Sequence, residues 1–388
     1  MAGFASQDDL INQVTTNGKF WRADWNKNHA TAGTVVAGTW QCLAGGAGNP
    51  PANTQLGGTT LIPQPCYDFG STAGGILHGG AVASAYDGFK IITNVSAFTA
   101  AATTTPSIMM LVDLLQIVPL ANATISATGT KTILGQSGET ISFSSSSGLL
   151  GTYTNDYPTY TAVSFTNSGG ALPTGLVAGT IYWTVRVSAT TSRLATSLGN
   201  AIAGTVISYT DAGTGTQTMT VRNPRYSTGA GVQAFLTAST AGTAGAGTFQ
   251  LTYTNSAGTG SKTTPSSPAL PTNTATSPLL TIPYSGTGSG KYGPFFPRAN
   301  GDAGIQSITN IILASAGVTT GVYNLCLCKP LLTLPLTTIG VPAEREMVSQ
   351  LPSMPRVYDG ACLAWLIYAG AAIPNNSAFY GHIDLGWS

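Results

Sequence analysis

Two cysteines, Cys326 and Cys328, have a spacing that could begin a metal site. Residues two apart on a strand share one face, so both thiols would point the same way. A structural zinc site needs two further ligands at close spacing, and the chain contains only three histidines. The alternative is core packing by two small thiols, and we favour it.

The cysteines as a set do not follow the paired spacing of a zinc knuckle. Their number is odd, five, and a framework of disulfides is the less favoured alternative. We expect reduced, buried side chains that pack as small apolar residues. The set comprises Cys42, Cys66, Cys326, Cys328 and Cys362.

His382 and Asp384 also lie two apart near the C-terminus and would share a strand face. Together they could supply half of a metal site or of an acid–base pair. Neither has an evident nucleophile or third partner in the sequence. A local hydrogen bond between imidazole and carboxylate is the commoner outcome, and His29 and His78 receive no role.

A glycine-rich segment at 285–292 invites comparison with a phosphate-binding loop. That loop requires Gly five residues before the Gly–Lys pair and Ser or Thr after the Lys. Ser285 and Tyr292 stand at those two positions, so we expect a flexible turn. Glycoside hydrolysis would need two carboxylates flanking a groove, and the 14 acidic residues do not cluster with aromatics. The sequence predicts a non-enzymatic protein without a cofactor or a metal.

The composition of the 388-residue chain excludes several classes of protein. Only 7% of its residues are charged, the net charge is +1, and 48 residues are glycine. Average domains are about 25% charged, and disorder requires low hydrophobicity with high net charge. A near-neutral chain without basic blocks has nothing to neutralise nucleic acid. The longest apolar run, 108–120, contains Asp113 and Gln116, so we expect a buried core segment and no membrane span.

The pattern along the chain is mainly β, with short segments separated by Gly, Asn and Pro. A polar helix or arm is expected within 1–29. Apolar stretches at 89–92 and 108–120 are strand candidates, although periodicity alone does not separate a buried strand from a buried helix. Further strands are predicted at 249–254, 305–313 and 321–329.

A regular ladder of alternating residues begins after residue 120. Strands are predicted at 141–143, 162–165, 181–187, 206–209 and 216–221, which indicates an antiparallel β-sandwich. We place this sandwich at 120–223. It lies between a β-rich segment at 1–119, with an N-terminal arm and a β core, and a second at 224–388, with a Pro-rich linker at 263–283.

The stretch 163–183 contains a Leu172–Leu176 turn of the form Leu-Pro-x-Gly-Leu and a Gly-Thr-x-Tyr strand start at Gly179–Tyr182. These residues resemble an immunoglobulin-like sandwich module of virion proteins from tailed bacteriophages. Trp183 and Arg186 depart from its usual aliphatic or small residues. The tail, 341–387, is similar to the C-terminal part of phage head proteins. This similarity implies that the sandwich, 120–223, is inserted into a discontinuous β-rich host domain whose halves are 1–119 and 224–388.

The resemblance implies a structural protein of a tailed-phage virion. We expect a capsid decoration or cement protein on the outer capsid surface, bridging capsomers of the major capsid protein as a homo-oligomer, with a trimer favoured. The N-terminus has no basic, apolar export segment, so we expect synthesis in the host cytoplasm without a signal peptide. The alternative is a tail component: a tail tube, a fibre or a receptor-binding protein.

Trp21, Arg22 and Trp25 are the predicted interface residues, because exposed Trp and Arg tend to anchor interfaces. The competing interpretation of this segment is a cap over the core.

Overall fold

The computed structural model describes residues 4–28, 37–58, 60–69, 74–79, 89–99, 108–120, 128–144, 148–240, 249–265, 280–281, 293–313, 322–350, 354–374 and 376–388. The protein is mainly β, as predicted, and its strands form four antiparallel sheets. Helix α1 (Gln7–Thr15) begins after Ser6, whose hydroxyl accepts a hydrogen bond from the Asp9 amide at 3.1 Å. Two acids in the first turn of α1 favour this start by facing the positive end of the helix dipole.

The other helical segments of the described residues are α2 (Leu198–Ile202) and two 3₁₀ turns, Leu43–Gly45 and Val348–Gln350. Within the ranges given above, no helix is long and apolar enough to cross a membrane.

The N-terminal sheet joins both ends of the chain. Its strands, in spatial order, are β21 (Ala343–Glu346), β5 (Phe89–Thr99), β24 (Ala378–Gly386), β1 (Phe20–Asn28) and β3 (Gly48–Asn49), and β22 (Arg356–Tyr358) also pairs with β5. Pairing of β1 with β24 sets Arg22 opposite Asp384 and Asp24 opposite His382. Buried and exposed side chains alternate along β1 from Ala23 onward, so one face of this strand joins the core and the other faces solvent.

A second sheet closes on itself around an apolar interior. Its ring consists of β6 (Ile108–Leu120), β20 (Val322–Pro335), β15 (Gln233–Thr240), β18 (Leu280–Thr281), β2 (Thr39–Cys42) and β23 (Cys362–Ala369), and β4 (Gln64–Pro65) adds to β6. Strand β6 pairs with both β20 and β23. The sequence of β6 is almost entirely apolar because both faces of this strand are buried.

A third, four-stranded sheet packs beside the closed one. Its order is β17 (Lys262–Thr263), β16 (Phe249–Asn255), β19 (Ile305–Leu313) and β7 (Gly129–Thr132). One hydrophobic cluster joins side chains of β16 and β19 to those of β15 and β20. The closed sheet and the four-stranded sheet thus share one core.

The fourth sheet, called the curled sheet below, has seven strands: β8 (Glu139–Ile141), β14 (Thr216–Val221), β11 (Ala162–Ser168), β12 (Ile181–Ser188), β13 (Thr191–Ala195), β10 (Leu149–Leu150) and β9 (Phe143–Ser144). Strands β8 and β9 are consecutive in sequence but end opposite edges, so the sheet folds over its own core. The two faces of the sandwich-like unit come from this one sheet.

The Leu172–Leu176 turn, which carries the sequence resemblance, has the hydrogen bond and the glycine conformation that its sequence predicts. The Leu176 amide donates to the Pro173 carbonyl at 3.0 Å, and Gly175 has φ +98°, a conformation that favours glycine.

Three sequence predictions differ from the structure. Residues 206–209 are not a strand: Tyr209 is buried against Phe143 and fills the curled core, which explains its apolar pattern. The segment predicted as a polar helix or arm contains strand β1 after α1. Strand β7, inside the predicted insertion 120–223, pairs with β19 and not with the curled sheet. The domain division itself stays a prediction.

Candidate functional site

All five cysteines are buried and unoxidised, and they meet inside the closed sheet. Cys326 and Cys328 do share one face, as their spacing predicts. Burial raises the pKa of the Cys42 thiol to about 12 and that of Cys326 well above its usual range. The Cys42 and Cys326 thiols therefore stay protonated and pack as small apolar side chains. Among the described residues, no group of three or more His, Cys, Asp or Glu side chains could hold a metal ion.

A buried ion pair lies beside these thiols. Arg225 Nε and Nη2 donate to Asp113 Oδ2 and Oδ1 at 2.9 and 2.6 Å. Nη2 also reaches the carbonyl oxygens of Cys66 and Leu114 at 3.0 and 2.9 Å, while the Cys362 amide donates to Asp113 Oδ1 at 3.0 Å. The guanidinium carbon lies 5.4 Å from the centre of the Tyr67 ring. Both charges are thus compensated inside the fold.

A second buried cluster forms around Lys90. Its ammonium lies 3.1 Å from His78 Nδ1, 3.3 Å from the His78 carbonyl and 3.2 Å from Asp359 Oδ1, so three acceptors surround it. Burial, reinforced by the positive charge of Lys90, lowers the pKa of His78 to about 3. His78 is therefore neutral, with Nδ1 accepting from Lys90 and Nε2 donating to the Ala361 carbonyl at 2.9 Å. Burial lowers the pKa of Lys90, and the neighbouring Asp359 carboxylate opposes that shift. The cluster links three separate segments of the chain.

Lys27 is a third buried charge, and two carbonyl oxygens hold it. Its ammonium donates to Gly46 O at 2.9 Å and to Pro51 O at 3.1 Å. Burial lowers the pKa of Lys27 to about 8, because the charged form loses its hydration.

His382 and Asp384 share a face of β24, as predicted, but they do not form a close pair. Their nearest atoms, Nε2 and Oδ2, are 4.0 Å apart. Asp384 instead accepts two hydrogen bonds at 2.8 Å from the Arg22 guanidinium on the neighbouring strand. Its carboxylate is thus committed to a structural ion pair.

The three predicted interface residues divide between surface and core. Trp25 is only 3% exposed and packs against Trp365 with ring centres 5.3 Å apart, so its side chain is not available as a surface anchor. Trp21 and Trp25 share one face of β1, and that face is buried from Ala23 onward but exposed at the start of the strand. Trp21 is 45% exposed, and the Arg22 side chain is 50% exposed.

The junction between the curled sheet and the rest of the chain is rich in aromatic rings. Tyr67 donates to the Tyr160 carbonyl at 2.7 Å, and Phe69 packs edge-on against Tyr160. Tyr160 and Tyr226 have φ +69° and +52°. The left-handed conformation costs a side-chain-bearing residue roughly 1–2 kcal/mol. Such strain clusters where a structure must hold a side chain in a required place.

A cleft of about 490 Å³ opens at this junction, and we call it the junction cleft. The curled sheet contributes Trp183, Thr196 and Ser197, while Tyr226, Thr228 and Tyr358 come from the other wall. Tyr226 and Tyr358 pack edge to face, with ring centres 5.1 Å apart. Arg225 also lines the cleft. The cleft combines aromatic surface with hydroxyl groups.

The glycine-rich segment 285–292 lies outside the described residues, and so does most of the Pro-rich stretch 263–283.

Sequence reasoning missed the roles of Asp113, Arg225, Lys90 and His78. A signal was present, because Asp113 and Lys90 each lie within an apolar strand sequence. A charge in such a position is rarely buried without a partner. Their partners come from distant parts of the chain, so local spacing could not name them.

Comparison with protein-family models, with curated proteins and with solved structures finds no match to this chain.

Proposed function

We propose that the chain is a non-enzymatic structural protein of a tailed-phage particle, which decorates and cements the outer capsid surface as a homotrimer. It would bridge neighbouring capsomers of the major capsid protein. The immunoglobulin-like character of the curled sheet belongs to the same proposal, as does the location in the virion. The support from sequence is the turn and strand pattern at 163–183.

The observation that carries the proposal is where the chain places its few charges. In the described part of the chain six charged residues are buried: Lys27, Lys90, Asp113, Arg225, Asp359 and Asp384. A free domain typically carries roughly 25–35% charged residues at its surface. Ten large apolar side chains are exposed in the described ranges, Trp21 and Ile11 among them. A surface so poor in charge suits contact with repeated neighbours.

The sheet edges favour one kind of assembly. Edge strands β3, β17, β8 and β9 are two or three residues long, edge strands β7 and β21 are four residues long, and short edges resist strand addition. Assembly would therefore use faces and projecting side chains, with the exposed Trp21 and Arg22 as anchors. Many modest contacts repeated over a lattice would give high total affinity.

Location in the particle is the decisive test. Antibodies against the chain, used for gold labelling of phage particles, should mark the head surface. Purified protein added to heads that lack it should saturate at fixed stoichiometry and raise their rupture temperature. Labelling confined to the tail would replace this proposal with the tail alternative. An unlabelled particle would reject both.

Self-association provides an independent test. Sedimentation equilibrium should show a trimer, and Trp21→Ser should weaken it at least about tenfold if Trp21 anchors the contact. The matched control is Val187→Ser, which changes an equally exposed apolar residue on the curled sheet. A wild-type monomer at all concentrations would contradict the homo-oligomer.

A further inference from the structure

The junction cleft has a chemical character that the proposed structural role does not use. Aromatic rings come from both of its walls: Trp183 from the curled sheet, and Tyr226 and Tyr358 from the other side. Tyr226 holds its position through a left-handed backbone, its edge-to-face contact with Tyr358, and a hydrogen bond from its hydroxyl to the Arg356 carbonyl at 3.4 Å. The rings are thus set in place before any ligand arrives.

Three hydroxyl groups of the cleft have protons to donate. Thr196 Oγ1 accepts from Asn200 Nδ2 at 2.8 Å, and Ser197 Oγ accepts from the Asn200 amide at 3.1 Å. Thr228 Oγ1 accepts from the Ala230 amide at 3.4 Å. None of the three donates to another described residue. A hydroxyl has one proton and two lone pairs, so each can still donate to a ligand and accept from it.

The charge of the cleft is balanced. Arg225 lines it, but the Asp113 carboxylate compensates its charge by accepting hydrogen bonds from Nε and Nη2. The third guanidinium nitrogen, Nη1, has no hydrogen-bond partner among the described residues. Lys329 lies 5.6 Å from the Tyr226 ring centre and donates to the Ala230 carbonyl, and it does not line the cleft. An anionic ligand would find no uncompensated cation on the cleft wall.

We propose that the junction cleft binds a neutral saccharide. Sugar rings present an apolar C–H face, which packs on aromatic side chains, and a rim of hydroxyls that both donate and accept hydrogen bonds. The cleft offers both partners without a net charge, and its volume lies within the range of small-molecule sites. This inference does not rest on the proposed particle location, because a sugar site would serve a head or a tail protein.

The test uses the purified full chain with maltose, lactose and N,N′-diacetylchitobiose as neutral probes and glucuronate as the anionic comparator. Saturation-transfer NMR and calorimetry should show that at least one neutral probe binds with a Kd below about 10 mM. Glucuronate should bind more weakly than that probe. Absence of binding by all neutral probes at that concentration would overturn the proposal. Tighter binding of glucuronate would overturn its neutral character.

Variants then locate the site. Trp183→Leu should weaken binding by about tenfold or more, because it removes the aromatic platform. Thr196→Val and Thr228→Val should each weaken it roughly three- to tenfold, because each removes one hydroxyl. Thr166→Val, at an exposed position on β11 outside the cleft, is the matched control and should bind as wild type.

Melting temperatures separate a lost site from a lost fold. If Trp183→Leu unfolds, the two threonine variants decide the question. Unchanged sugar affinity in both folded threonine variants would show that the saccharide binds elsewhere, and the proposal would be wrong. Neither result depends on particle labelling, so this proposal and the structural one can fail separately.

Discussion

Two arginine–aspartate pairs with the same bidentate geometry lie in very different surroundings. Arg225 and Asp113 are 5% and 1% exposed at the junction, and backbone groups add hydrogen bonds to Arg225 Nη2 and to Asp113 Oδ1. Arg22 and Asp384 lie on the outer face of the N-terminal sheet, where the arginine is half exposed. Geometry is nearly equal, so the surroundings must decide what each pair contributes. If Arg22 is removed, water can hydrogen-bond to the Asp384 carboxylate. Water cannot take the place of Arg225 beside the buried Asp113 carboxylate.

The largest expected effect is at the junction. Arg225→Met should lower the free energy of unfolding by about 3–5 kcal/mol, because it leaves Asp113 buried without its counter-ion. Urea unfolding followed by circular dichroism measures this loss. The double variant Asp113→Leu/Arg225→Met should recover much of it, since no buried charge remains. If Arg225→Met lowers the free energy of unfolding no more than Arg22→Ala does, burial does not distinguish the two ion pairs.

Lys27 extends the comparison to a buried charge without a carboxylate. Its pKa is about 8 in the fold against 10.5 ordinarily. The folded state therefore holds this proton less tightly than the unfolded state. The contribution of Lys27 to stability should rise by about 3 kcal/mol as the pH increases from 8 to 10.5. Subtracting the unfolding curve of Lys27→Met from that of the wild type isolates this rise. Parallel curves over that range would show that Lys27 is not desolvated.

Arg22→Ala should have a smaller effect. The arginine is half exposed, but the Asp384 side chain is only 7% exposed, so its carboxylate loses a partner in a partly buried place. We expect a loss of roughly 1–2 kcal/mol in the free energy of unfolding. Raising the salt concentration should reduce the difference from wild type. A loss as large as that at Arg225 would mean that exposure of one partner does not matter.

The smallest effect is expected at Arg186, which pairs with Asp156 on the surface of the curled sheet. Its Nε lies 2.6 Å from Asp156 Oδ1, yet both side chains are well exposed. Arg186→Ala should leave the unfolding midpoint unchanged within error, because exposed pairs are solvated in either state. A clear shift in the midpoint would show that geometry outweighs burial in this protein.

Much of the fold could be predicted because the strands carry their pattern locally. Alternation predicted β11, β12 and β14, and the long apolar run at 108–120 predicted a buried segment. Alternation wrongly predicted a strand at 206–209. The Tyr209 side chain fills the core of the curled sheet from a segment that is not a strand. Alternation also missed β1, since charged residues on the outer face of this strand hid the pattern.

The candidate site was much less accessible to sequence reasoning. Trp183 attracted notice only as a departure from the resembled module. Its cleft partners, Tyr226 and Tyr358, lie 43 and 175 positions further along the chain. No local spacing relates such residues, because two walls from different sheets form the cleft.

The sequence by itself determined that this protein is mainly β, poor in charge and built from many short segments joined by turns. These properties follow from local composition and period, which act within a few residues. Only the tertiary structure decided that Asp113 meets Arg225, that five thiols share one interior, and that Trp25 lies inside while Trp21 lies outside. Those outcomes depend on which distant strands pair and in what register, because pairing over long distances sets which side chains lose water.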